Sequence, residues 1–96
     1  MAGRKVITLT PELAQHYLDN AGPNAPLKRD RVEKYKAIIR NGEWALSFHD
    51  GTRTREAPPL AVPKGKLIDG QHRCTAVVET GIPIPVYIQV YKKSAV

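Results

Sequence analysis

The sequence predicts an α+β domain in which about four short strands form a small mixed sheet packed with three helices. Three observations predict it. Apolar residues recur at helical spacing in three segments, each with start or stop signals. Runs rich in β-branched residues lie near both ends of the chain. The 96 residues suit one domain with one modest core. That domain is expected to take up residues 1–96, with its core at about 4–91 and a frayed tail at 92–96.

The elements follow in order. "RKVITL" at 4–9 reads as a strand. Thr10 and Pro11 then start a helix: the threonine hydroxyl can cap free N–H groups, and proline suits the first helical position because it has none. Leu13, Ala14, Tyr17 and Leu18 give this helix, 11–19, its buried face, and "NAGPNAP" breaks it. A second helix in "KRDRVEKYKAIIRNGEW" places Val32, Tyr35, Ile38 and Ile39 on one side and stops at Asn41-Gly42. Trp44 and Leu46 are expected to pack on the core.

Residues 47–59 are the least regular, with a turn signal at Asp50-Gly51 and Thr52, Arg53, Thr54 and Arg55 in a basic loop or solvated connector. "LAVPKGKLID" reads as two short strands around a Pro63-Lys64-Gly65 turn. A third helix is expected over about 71–80, with Asp69 as its N-cap, Cys74, Val77 and Val78 facing inward and Gly81 ending it. "IPIPVYIQVY" closes the chain as a strand whose Ile84, Val86, Ile88 and Val90 share a face, with Pro83 and Pro85 near its start, where a missing N–H is tolerated.

Composition narrows the function classes. Hydrophobic residues make up 42% and charged residues 25%, as in ordinary soluble proteins. No apolar run approaches the roughly 20 residues that cross a bilayer. The N-terminal stretch lacks the apolar region of a secretory signal, so a cytoplasmic setting and no membrane partner are expected. The single cysteine, Cys74, excludes an internal disulfide framework and a cysteine-based zinc site. The net charge of +6 and the pI of about 9.7 suit polyanionic partners, namely nucleic acid, nucleotides or acidic protein surfaces, and equally support solubility alone.

The most chemically loaded segment is "LIDGQHRCTAVVETG", where Asp69, Gly70, Gln71, His72 and Arg73 stand at the start of the third helix. A helix start carries unpaired N–H groups and partial positive charge, which favour a phosphate. Arg73 can grip phosphate oxygens with its planar fork, His72 can donate a hydrogen bond or move a proton, and Gly70 can let a ligand approach the backbone. The trio Gln71, His72 and Arg73 is expected to face solvent. The structural alternatives stay open: Asp69-Gly70 as a plain cap and turn, His72 bonded to a neighbouring loop, and Arg73 paired with Glu79 or Asp69. Along the second helix, Arg29, Glu33, Lys36 and Arg40 form a stripe. It can lie on a phosphate backbone, with Arg53 and Arg55 adding to it, or be a solvated face of internal ion pairs.

"DGQHR" after an apolar strand resembles the ParB/sulfiredoxin-like superfamily. Over about residues 7–90, "TPELAQHYL", "RVEKYKAIIRNGEW" and "LIDGQHRCTAVVETGIPIPV" together resemble small ParB-like domain proteins, many of them from bacteriophages of actinobacteria. The resemblance implies a small α+β fold whose motif contacts nucleotide phosphates, and a protein that modulates phage–host or DNA processes in the host cytoplasm. In ParB proteins the corresponding Gly-Glu-Arg-Arg motif takes part in CTP binding; sulfiredoxins carry Gly-Cys-His-Arg, whose cysteine is the nucleophile. Gln71 stands in place of that acid and that cysteine, while His72 and Arg73 match the sulfiredoxin pair. The ligand implied is a nucleotide, with a nucleoside triphosphate and magnesium as one form, or a nucleic-acid phosphate. Cys74 is expected to be a small buried hydrophobe. No metal site is expected within the chain, because Asp69 is the only acid in "DGQHR" and metal-dependent hydrolysis needs clustered carboxylates. His72 is the one candidate for chemistry. A non-catalytic protein that binds a host protein through the same scaffold is the alternative.

Overall fold

The computed structural model describes residues 3–22, 26–49, 52, 54–56 and 59–90. The tail at 92–96 lies outside them. Strand β1 (Gly3–Leu9) leads into helix α1 (Pro11–Asp19). Thr10 caps α1, its Oγ1 accepting the Leu13 N–H at 3.1 Å, and Pro11 opens the helix. Helix α2 (Arg29–Arg40) ends where Gly42 takes a positive φ of 70°. A short hairpin follows, β2 (Ser47–His49) against β3 (Thr54–Glu56). Helix α3 (Gln71–Thr80) closes on Gly81, and β4 (Ile84–Val90) returns antiparallel to β1.

Three expectations change here. The expected four-stranded mixed sheet does not form: of the strands expected, only the two terminal ones pair, β1 with β4, and β2 with β3 makes a separate antiparallel pair. The irregular reading of 47–59 gives way to the β2–β3 hairpin, with Asp50, Gly51 and Arg53 outside the described residues. Nor does the 60–69 segment form two strands. It makes single bridges, Leu60 to Ile88, Ala61 to Asp69 and Leu67 to Ala21, around a 3-10 turn at Pro63–Gly65. The reason is that this segment threads between α1 and β4, so its peptide groups are shared among several partners and no one neighbour runs alongside for long.

The periodicities place most of the core as anticipated, but Ile38 and Leu46, expected to pack on it, are half-buried and lie outside the core cluster. Leu9, Ile84 and Val86 from the β1–β4 sheet meet Ala14, Val32, Ile39, Cys74, Ala76 and Val77 from the helices, with Leu60 and Leu67 fully buried from the bridging segment. Helix α3 is the central element, packed against both α1 and α2. Trp44 joins the margin of this core, edge-on to Tyr35 at 5.7 Å, and its Nε1–H donates to the Pro85 C=O at 2.8 Å.

Candidate functional site

The segment before α3 is held at both ends. Leu67 N–H donates to the Asn20 C=O at 3.3 Å and its own C=O accepts from Gly22 N–H at 2.8 Å, tying it to the end of α1. Ile68 N–H donates to the Ala61 C=O at 2.9 Å, and the Asp69 C=O accepts from Ala61 N–H at 3.1 Å. These bonds fix the backbone from which "GQHR" departs.

Gly70, not Asp69, is the N-cap of α3. It adopts φ 113° and ψ 10°, and no side chain caps the helix start. Asp69 is one residue too early and its backbone is committed to the bridge with Ala61, so its exposed carboxylate is left beside the helix start without capping it. Packing alone already requires glycine at position 70. A Cβ there would collide with the buried Leu60 Cδ2, and would stand 3.5 Å from Arg73 Nη2. The space is filled by the protein's own leucine.

The trio does not share one open face. Gln71 and His72 are half-buried, and Arg73 is only 6% exposed. Burial pushes the Arg73 guanidinium below its ordinary value, with the Asp69 carboxylate opposing that shift; an arginine still stays charged. His72 Nε2 accepts the Lys28 N–H at 3.0 Å. A neutral imidazole that accepts at Nε2 carries its proton on Nδ1. Burial, then the nearby Arg31 and Lys28 charges, lower the His72 pKa and keep the ring neutral.

The Lys28–His72 bond brings two helix starts together. Lys28 is the N-cap residue of α2 and also lacks a side-chain cap. Between the two starts lies a cleft of about 150 Å³, lined by Arg31, Tyr35, Asp69, Gly70, His72 and Arg73. Arg31 and Tyr35 come from α2 and were not singled out for this site by the sequence. Tyr35 was assigned to the core, and Arg31 becomes a candidate only once the two helix starts are known to meet.

The α2 stripe is largely committed elsewhere. Glu79 of α3 accepts from Arg29 Nη1 at 2.7 Å and from Lys36 Nζ at 3.0 Å, while Glu33 takes the same two cations at 3.0 and 3.1 Å. The Arg29 and Lys36 hydrogen bonds hold the Glu79 carboxyl at about 2, well below the usual range. Glu79 therefore pairs with α2 and not with Arg73. Arg40 is exposed at the far end of α2. Arg53 lies outside the described residues, and of Arg55 only the backbone, in β3, is described. Cys74 is fully buried, and burial pushes its thiol up to about 12. Among the described residues, no group of three or more histidine, cysteine, aspartate or glutamate side chains is placed to hold a metal ion, and no helix is long and apolar enough to cross a membrane.

Against known proteins the chain stands apart: no family model matches it, and no curated protein or solved structure matches it.

Proposed function

We propose that this chain is a small ParB/sulfiredoxin-like domain that binds a phosphate of a nucleotide or nucleic acid in the cleft between the starts of α2 and α3. One observation carries the reading: two helix starts without side-chain caps converge on a cleft that Arg31 and Arg73 also line. Each start contributes partial positive charge and free N–H groups, and the two arginines contribute full charges. Burial lowers the His72 pKa most, and the Arg31 and Lys28 charges lower it further, in line with the same positive field. His72 then acts as a neutral donor through Nδ1–H and as the link that keeps the helix starts together.

The size of the cleft narrows the ligand. At about 150 Å³ it is well below the ~300 Å³ at the lower end of small-molecule pockets. It accommodates a phosphate group, and a nucleoside or a polynucleotide chain would extend over the surface. Among the described residues, Asp69 is the one carboxylate lining it, and would face a magnesium ion carried on a triphosphate. Binding is better supported than turnover, since the His72 Nε2 lone pair is already used by Lys28. Modulation of phage–host or DNA processes accompanies this reading as its biological role.

Calorimetric titration with nucleoside triphosphates, with and without magnesium, and with pyrophosphate tests it. Arg73→Ala alone is a poor probe, because removing a buried arginine also disturbs packing. Arg31 is exposed, so Arg31→Ala isolates the ligand contact. It should weaken binding about ten- to a hundredfold, the scale of one charge-assisted hydrogen bond. Unchanged affinity in Arg31→Ala, or no binding of any of these anions, removes the proposal.

A second reading has its own support. The Gly70 conformation serves Leu60, the His72 lone pair serves Lys28, and Arg29 and Lys36 serve Glu79. Motif residues spent on internal contacts are what an interaction protein retaining the scaffold without its ligand would show. A host protein is then the partner, and a pull-down that survives both nuclease treatment and Arg31→Ala favours it.

A further inference from the structure

Among the described residues, the β1–β4 sheet is extended on the β4 side only. Along β4, the peptide groups facing away from β1 belong to residues 85, 87 and 89. The Pro85 C=O accepts from Trp44, the Tyr87 C=O accepts the Leu60 N–H, and the Gln89 N–H donates to the Leu60 C=O, each at 2.8 Å. The register sets Thr8 opposite Pro85 and Val6 opposite Tyr87. Residues opposite one another in an antiparallel ladder turn their peptide groups the same way relative to the pair, inward or outward together. Val6 and Thr8 therefore turn their N–H and C=O groups to the open edge of β1. Among the described residues, only β4 pairs with this strand.

An open strand edge is a template for another strand, and its surroundings select which one. Residues 3–6 are all exposed, and Val6, at 52%, is the most exposed large apolar side chain among the described residues. Arg4 lies over the Tyr87 ring at 4.7 Å, on the same face as Val6, and Lys5 follows on the other face. With a net charge of +6, a second copy is repelled from this basic edge. The same charge attracts carboxylates. A carboxylate opposite Lys5 and an apolar side chain opposite Val6 are neighbours in an extended chain, since successive residues alternate faces.

We propose that the β1 edge binds an extended acidic segment of another protein, which adds as a third strand to the β1–β4 sheet. The outward peptide groups of Val6 and Thr8 hold its backbone, Lys5 selects a carboxylate, and Val6 takes the adjacent apolar side chain. This surface is separate from the α2–α3 cleft, so its failure leaves the phosphate reading untouched.

The test uses the full chain, isotope-labelled for amide exchange, with a short capped peptide of alternating glutamate and valine and its lysine–valine counterpart. The acidic peptide should bind and slow exchange of the Val6 and Thr8 amides, and the basic one should not. Val6→Pro removes an outward N–H that the β4 ladder does not use, and Lys5→Glu reverses the selecting charge. Each should weaken binding about tenfold or more. If Val6→Pro does not fold, Lys5→Glu and the exchange pattern decide. The proposal is overturned if the acidic peptide does not bind, if it leaves these two amides unchanged, or if the basic peptide binds equally. Concentration-dependent protection of the same amides without peptide also overturns it, by making a second copy the occupant.

Discussion

Gly70→Ala separates two roles for the glycine of "DGQHR". The residue has φ 113°, and a Cβ on it would collide with Leu60 Cδ2 and stand 3.3 Å from Leu60 Cγ. Leu60 is fully buried against β4, so it has nowhere to retreat. Holding a non-glycine residue at positive φ costs about 1–2 kcal/mol. Forcing an extra methyl into a packed core costs about 1–3 kcal/mol more. The sum, about 2–5 kcal/mol, is a large part of the ~5–15 kcal/mol that holds a domain together. At about 4–8 °C per kcal/mol for a domain of this size, Tm should fall by roughly 10 °C or more. Urea unfolding followed by circular dichroism measures the free energy directly. The decisive arm is the same substitution in a Leu60→Val background, where the colliding Cδ2 is gone. There the cost of Gly70→Ala should drop toward the backbone contribution of about 1–2 kcal/mol. Equal costs in both backgrounds would refute the packing argument. A Gly70→Ala protein that keeps its stability and loses only phosphate affinity would return the glycine to the ligand.

Three further outcomes follow from the charges. The Glu79 pKa falls from 4.5 to about 2 on folding, so its stabilisation is complete above pH 4.5 and is lost as pH drops through 2; Tm against pH should lose that segment of its acid dependence in Glu79→Gln. The His72 pKa is lowered from 6.5, so the unfolded chain takes up the proton first and stability should decline as pH falls below 6.5. Nitrogen shifts should place the His72 proton on Nδ1 at neutral pH and its midpoint below 6.5, and a midpoint above 6.5 contradicts the Lys28 contact. Native Cys74, buried with its thiol near 12, should resist a thiol reagent at pH 8 and react only as fast as the protein opens; immediate labelling would show the α3 inner face to be accessible.

Where local chemistry decided the structure, it was legible in the residues. Thr10-Pro11 announces α1, Gly42 ends α2 and Gly81 ends α3, because each acts on the turn it belongs to. Tyr17, Val32, Ile39 and Val77 face the core because helical spacing leaves them no other face. Pro85 is tolerated inside β4 because its missing N–H would have pointed away from β1. The 60–69 segment was misread as two strands because its bonding partners, at 20–22 and 87–89, are remote in sequence. Asp69 was misread as a cap because a capping aspartate and an aspartate in a β-bridge look alike in one dimension.

The sequence by itself determined three amphipathic helices, two terminal strands, a buried cysteine and a basic motif at a helix start, since propensity, capping and periodicity act within a few residues. Tertiary structure alone decided that β1 finds β4, that Glu79 gathers Arg29 and Lys36, that Leu60 packs beside Gly70, and that Arg31 joins Arg73 at one cleft. Each of those outcomes depends on how helices and strands pack at long range, and packing is a property of the whole chain's volume and charge that no short window contains.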